Sequence, residues 1–176
     1  FAAAVLATQH AQPAYDWRQV PLSFYLLGAG GAWLQAAYVL LGVALLVQAV
    51  ASNCALPEHH RSAAPVLLFA LGACGLVVTA IEPSNQPGAV PSFAGWLHGV
   101  AAQTAFLCTT TGALVQTVRQ RLRLQGASFL VSMTLAATAF VGLWLHALVR
   151  TLPRGASQKV VVVLVLSSFA LMTWLE

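Results

Sequence analysis

The hydrophobic positions of this chain fall into long runs that contain almost no charged residues. Five such runs cover residues 31–52, 65–81, 93–118, 127–149 and 159–175. Each is close to the ~20 residues that a helix rising ~1.5 Å per residue needs to cross ~30 Å of hydrocarbon. Transmembrane β-strands would be shorter and would alternate polar with apolar positions, which these runs do not. The pattern therefore predicts an all-α, polytopic membrane bundle.

A shorter apolar segment covers residues 1–9. A helix of this length reaches only about 12 Å, which is too short to span a bilayer. We expect it to be the end of a first membrane helix that is truncated at the start of this sequence. Counting this partial segment, the sequence predicts six transmembrane helices in one integral-membrane domain, residues 1–176. The polar segment after residue 9 is rich in proline, glycine and aromatic residues and predicts an ordered loop at the membrane interface.

The charge content supports the same class of protein. The chain is 59% hydrophobic and only 7% charged, against about 25% charged residues in soluble domains. The net charge of +4 is scattered and forms no basic face of the kind that binds nucleic acid. Its densest part is Arg119, Arg121 and Arg123, which predicts a cytoplasmic loop by the positive-inside tendency. We therefore expect a multi-pass membrane protein in contact with the lipid bilayer.

Small residues recur at intervals of three and four along the fourth and fifth runs. Stripes of this kind let membrane helices approach closely. They predict a tight antiparallel hairpin of these two helices. The small residues assigned to helix packing are Gly95, Gly99, Ala102, Ala105, Gly112, Ala139 and Gly142.

Two histidines stand out because they lie inside these two runs. Position 122, in the arginine loop, is midway between His98 and His146, so an antiparallel hairpin places both imidazoles at the same depth. Ionisable residues within membrane segments are default candidates for functional sites. The candidate ligand-binding set adds aromatic and charged residues expected at the same rim: Trp96, Trp144, Glu82, Asp16 and Arg18.

Two interpretations of this pair stay open. The histidines and their glycine neighbours suit a flat cofactor such as haem or a pigment, but close helix packing would leave no room for one. The alternative is hydrogen bonding between the helices. The three cysteines (Cys54, Cys74 and Cys108) have no metal-ligand spacing, and no metal site is predicted. No cofactor is predicted from the residues alone.

Three stretches of the chain resemble the DUF998 family of bacterial membrane proteins. They are "YDWRQVPLSFYLLGAGGAWLQAAYVLLGVALL", "GLVVTAIEPSNQPG" with the following "WLHGVAA", and "LPRGASQKVVVVL". The resemblance implies six helices in the bacterial cytoplasmic (inner) membrane and no established reaction. The residues that carry it are Tyr15, Asp16, Arg18, Ser23, Gly28, Trp33, Leu34, Gln35, Gly42, Glu82, Pro83, His98, Gly99, Gly155, Gln158 and Lys159.

Neither a nucleophile motif nor a phosphate-binding glycine loop is present, so the sequence predicts no enzyme and no catalytic residues. The leading functional hypothesis is a structural or accessory subunit that packs against other membrane protein subunits. The first alternative is a binding protein for haem, a pigment, a quinone-like molecule or a lipid, in an outer-leaflet pocket near His98 and His146. A weaker alternative is a transporter of a neutral solute, since the middles of the runs carry no charge.

Overall fold

The computed structural model describes residues 1–86 and 88–175, and only the backbone of Leu122. All regular secondary structure among the described residues is helical, which confirms the all-α class. Three 3₁₀ turns, Leu22–Leu27, Glu58–His60 and Gln120–Leu122, lie in the connections. The six α-helices are α1 (Ala2–Ala11), α2 (Gly31–Cys54), α3 (Ala63–Ile81), α4 (Phe93–Arg119), α5 (Ala127–Leu148) and α6 (Arg154–Leu175).

Four of these helices, α2, α3, α5 and α6, are long and apolar enough to cross a membrane. They identify a multi-pass membrane protein. The ten-residue α1 is too short to span, and α4 has 27 residues but a more polar composition. Helix α4 buries Thr109, Thr110, Gln116 and Thr117 inside the bundle, which explains its lower hydropathy. Six spans therefore stay a prediction.

The predicted boundaries agree with the helices to within a few residues, except at the last helix. Helix α6 begins at Arg154, whereas the sequence pattern predicts its start at 159. The first N–H groups of a helix need partners from outside it. Gly155 N donates to Gln19 O (3.2 Å) and Ala156 N to Arg18 O (2.8 Å), so the segment before α2 caps this turn. Hydropathy alone cannot detect a helical turn that is stabilised in this way.

The helices pack in chain order. Helix α3 lies between α2 and α4, α5 packs on α4, and α6 packs on α5 and also touches α4 and α2. The core of the bundle includes an edge-to-face pair of Phe69 and Phe169, with ring centroids 5.1 Å apart. Small buried residues of α4 and α5 (Ala113, Ala136 and Ala139) complete this core. The helices alternate in direction, which gathers the loops 12–30, 82–92 and 149–153 at one end, called the loop end here.

Helices α4 and α5 are in contact, but most of the small residues predicted to pair them face other helices. The closest approach of α4 is to α3, where a Cβ atom on Gly75 would lie 2.7 Å from Ala101 O. The small residues of α4 face α3 or its loop: Ala105 lies against Gly75, Gly112 against Phe69, and Gly95 against Asn85. On α5, Gly142 faces Val161 and Leu164 of α6.

Two of the predicted packing residues lie instead beside an opening. A Cβ atom on Gly99 would meet no atom within 4 Å, and Ala102 lines a cavity. Gly72 and Gly75 let α3 approach α4 closely, so the small residues of α4 pack mainly on α3. Near the loop end, a cleft lies between α4 and α5.

Candidate ligand cleft

The cleft has a volume of about 520 Å³ and lies between α4, α5 and α6 near the loop end. Ligand-binding pockets in proteins commonly measure about 300–1,000 Å³. Its apolar walls come mainly from Phe106 and Leu107 of α4 and from Leu143 and Trp144 of α5. Its polar lining comes from all three helices and from the 3₁₀ turn Leu22–Leu27, which precedes α2. The polar lining residues are Ser23, His98, Gln103, His146, Arg154 and Gln158. The structure therefore brings the two predicted histidines into the lining of one cleft.

His98 is the more deeply buried histidine, with 4% of its surface exposed. Its Nδ1 lies 2.7 Å from the backbone carbonyl oxygen of Glu82. A carbonyl only accepts, so Nδ1 carries the hydrogen and Nε2 presents a lone pair. Nε2 is buried and has no hydrogen-bond partner among the described residues. The imidazole thus joins the second turn of α4 to the end of α3, and in its neutral form it leaves one acceptor unused.

His146 is half-buried and is held by the first turn of α6. Its Nδ1 lies 2.7 Å from Ser157 Oγ, which itself lies 2.9 Å from Pro153 O. When the single hydroxyl hydrogen of Ser157 is donated to Pro153 O, Nδ1 of His146 is the donor and Nε2 is the free acceptor. Arg154 also donates from a guanidinium nitrogen to the backbone carbonyl of His146. These contacts join α5 to α6 beside the cleft.

The cleft lining is rich in hydrogen-bond donors and contains no carboxylate among the residues that the structure describes. Gln158 uses Oε1 to accept from Leu22 N at 2.8 Å, which leaves its NH₂ group for other partners. Arg154 forms no ion pair with any described residue, and one carbonyl occupies one of its five donors. Ser23 and Gln103 add a hydroxyl and an amide. Such a lining suits a ligand with several acceptor oxygens.

A second cavity of about 70 Å³ shares four residues with the cleft: Ser23, Ala102, Phe106 and Gln158. Its other walls are mostly apolar and come from α2, α3 and α6, among them Leu45, Leu76 and Val162. The cleft is therefore polar near the loop end and is bordered by apolar space on the side of the bundle core.

Residues 12–30, called the strap here, cover the start of α6. Gln12 Nε2 donates to Tyr25 O (3.0 Å) and Ala29 O (2.9 Å), which folds the strap on itself. Lys159 Nζ donates to Trp17 O (2.6 Å) and Val20 O (3.2 Å) and so binds the strap to α6. This confirms the expectation of an ordered loop. It also places Ser23 in the wall of the cleft.

Tyr25 anchors the middle of the strap and is 1% exposed. Its ring packs edge-on against Tyr15, with centroids 5.4 Å apart, and faces Lys159 Nζ at 5.7 Å. Burial raises the pKa of Tyr25 above its usual range, and the charge of Asp16 and the neighbouring Tyr15 raise it further. The hydroxyl therefore stays protonated at neutral pH and donates to Tyr15 O at 3.4 Å.

The other predicted ligand-binding residues have different places. Trp144 lines the cleft, but Trp96 is exposed and stacks on Phe93 outside it. Glu82 contributes its backbone carbonyl to His98 rather than its carboxylate. Asp16 Oδ1 accepts from the backbone N–H of Arg18 (2.9 Å), and both residues belong to the strap rather than to the lining.

Four polar lining residues were not assigned to a site from the sequence: Ser23, Gln103, Arg154 and Gln158. Ser23 and Gln158 are among the residues that carry the family resemblance, so a signal was present for them. Arg154 follows directly after Pro153, in the first turn of a helix that hydropathy places later. Its position near His146 follows from tertiary packing alone.

The geometry bears on the haem hypothesis as well. An axial ligand must present its free nitrogen to the cofactor, and Nε2 of His98 is shielded by surrounding protein atoms. Among the described residues, no three His, Cys, Asp or Glu side chains lie together in a way that could hold a metal ion.

The family model described as "Protein of unknown function (DUF998)" matches residues 1–175. No curated protein and no solved structure matches the chain.

Proposed function

Because the chain belongs to the DUF998 family, whose description assigns no activity, we propose from the geometry of the cleft that it binds a lipid-like ligand within the membrane. The proposal selects the lipid alternative among the ligands considered for His98 and His146. The observation that carries it is a cleft of ligand size with a donor-rich end and apolar walls. A membrane lipid has the same division into a polar head and an apolar tail.

The cleft lies where lipid has access to it. The exposed faces of α4 and α5 beside it carry Leu107, Trp144 and Leu145, which are all more than 40% exposed in the isolated chain. In a membrane such surfaces face acyl chains. A lipid could therefore enter sideways between α4 and α5, without crossing a water-filled path. In this proposal α4 and α1 also lie at membrane depth, and the loop end faces the outer leaflet.

Gly99 offers a direct test because it lines the cleft and has open space at its Cβ position. Gly99→Leu adds an apolar side chain at this position, where the Cβ atom itself meets no atom within 4 Å. Val100→Leu is the matched control, since Val100 is exposed on the same helix and is not part of the lining. We expect native mass spectrometry of gently purified protein to show bound lipid in the wild type and the control, and much less in Gly99→Leu.

The same measurement can contradict the proposal. If Gly99→Leu unfolds at the wild-type temperature and retains as much lipid as the control, the cleft is not the binding site. The role of an accessory subunit in a membrane complex and that of a neutral-solute transporter stay predictions. Contact with lipid is sufficient to cover the exposed apolar faces, and no described contact favours either role. No catalytic role is proposed.

A further inference from the structure

We infer that the cleft selects a lipid whose head carries a negatively charged phosphate, and that Arg154 is the residue that recognises the charge. This inference rests on the proposed function and names the chemistry of its ligand. The argument depends on the charge balance of the cleft, on its hydrogen-bonding groups and on the position of Arg154.

The charge balance of the cleft is positive. Arg154 is half-buried, and no carboxylate among the described residues forms an ion pair with it or lines the cleft. Lys159, further along α6, does not line the cleft: its ammonium is bound by the carbonyls of Trp17, Val20 and Gly155, and the carboxylate of Asp16 is near enough to act on its charge. A cation that is partly withdrawn from water and lacks a counter-charge favours an anionic partner.

The hydrogen-bonding groups have the polarity that a phosphate requires. Phosphate oxygens only accept, and the free guanidinium donors of Arg154 fit them in pairs. The NH₂ group of Gln158 and the hydroxyl of Ser23 line the same cleft and have no acceptor among the described residues. When Nδ1 of His146 donates to Ser157 Oγ, Nε2 of the neutral ring is an acceptor for a hydroxyl group on the head. A carbohydrate or neutral glyceride head would leave the charge of Arg154 unpaired.

The position of Arg154 at a helix end also suits contact with a lipid phosphate. It begins α6, one of the four helices able to cross a membrane, and the apolar walls of the cleft extend from it toward the core. Long cationic side chains near helix ends reach toward the head-group region. A lipid seated with its tail between Phe106 and Leu143 would therefore present its phosphate to Arg154.

The test compares two lipids with identical tails, dioleoylphosphatidylglycerol and dioleoylglycerol, titrated into detergent-solubilised protein and followed by native mass spectrometry. A charged Arg–phosphate contact predicts that the phospholipid binds about tenfold more tightly. In Arg154→Gln this ratio should fall to near one, while Arg154→Lys keeps part of it. Arg150→Gln is the matched control, because Arg150 is exposed and does not line the cleft.

The outcomes separate this inference from the proposed function. Equal binding of both lipids by the wild type, or an unchanged ratio in Arg154→Gln, overturns phosphate recognition while lipid binding stands. Loss of neither lipid in Gly99→Leu overturns the cleft as the binding site. Excess inorganic phosphate is the last arm: if it displaces the phospholipid completely, the site takes a soluble anion and the lipid assignment is wrong.

Discussion

The ammonium group of Lys159 donates a hydrogen bond to the backbone carbonyl of Trp17 at 2.6 Å, across 142 positions of sequence. The same nitrogen also reaches Val20 O and Gly155 O. The N–H groups of Gly155 and Ala156 donate to other strap carbonyls. The start of α6 and the strap are therefore one structural unit, and the cleft is built beside it.

Replacement of Gly155 should loosen this unit. A Cβ atom at this position would lie 2.5 Å from Trp17 O, and a backbone carbonyl cannot move aside without moving the strap. We expect Gly155→Ala to lower the free energy of unfolding by about 1–3 kcal/mol, the usual cost of overpacking. Thermal unfolding in detergent measures the loss. Gly142→Ala is the control, because its Cβ would meet Val161 at an ordinary 3.6 Å. Equal effects of the two changes would contradict the close approach.

Loss of the Lys159 ammonium should expose the strap. Lys159→Met keeps a long side chain but removes hydrogen bonds to three carbonyls. Arg18, in the strap, is exposed and gives trypsin a cleavage site. We expect cleavage after Arg18 to be several-fold faster in Lys159→Met than in the wild type, with Arg150→Met unchanged. Cleavage at the wild-type rate would show that the helix N–H contacts hold the strap without the lysine.

Two glycines should respond in opposite ways to the same change. A Cβ on Gly75 would lie 2.7 Å from Ala101 O in the α3–α4 contact, whereas one on Gly99 meets nothing within 4 Å. We expect Gly75→Ala to cost about 1–3 kcal/mol and Gly99→Ala to be neutral or slightly stabilising, since alanine favours helix. Thermal unfolding of both variants checks this. A loss of stability in Gly99→Ala would show that α4 and α5 are in contact at the cleft.

His98 should contribute through its donor rather than through its charge. His98→Leu leaves the Glu82 carbonyl without its partner, and the cost of a lost hydrogen bond to a buried group is about 1–3 kcal/mol. Asparagine has a similar size and carries a donor near the position of Nδ1, so His98→Asn should recover part of the loss. Unfolding temperatures of the two variants are the measurement. If both variants are equally destabilised, the donor to Glu82 does not account for the loss.

The sequence pattern predicts the helices well because side chains that face lipid must be apolar. A helix that crosses a membrane can therefore be recognised from the hydropathy of its own residues. The pattern also places His98 and His146 together, since short connections fix the alternating direction of the helices. The sequence pattern does not predict which neighbouring helix the small residues of α4 face. Small residues line both α4 and α5, but the glycines of α3, Gly72 and Gly75, bring α3 closest to α4, and the small-residue pattern does not indicate which neighbour a helix selects.

The polar lining could not be predicted for a related reason. Arg154 and Gln158 lie in the first two turns of α6, in a stretch whose composition resembles a loop. Those turns form because carbonyls from residues 18 and 19 accept their N–H groups. A helix start that depends on residues more than 130 positions away has no local signature. Of the three stretches that carry the family resemblance, the first contains residues 18 and 19 and the third contains residues 155 and 156. Only the tertiary structure shows that these two stretches are in contact.

The bond between Lys159 and Trp17 also sets an order of events during biosynthesis. The strap leaves the ribosome long before α6, so its carbonyls lack their partners while four further helices are made. The wall that α6 contributes to the cleft is absent until α6 is inserted and docks on the strap. In the proposed function, ligand binding therefore begins only after α6 has been made, and a bound ligand in turn favours the docked form of α6.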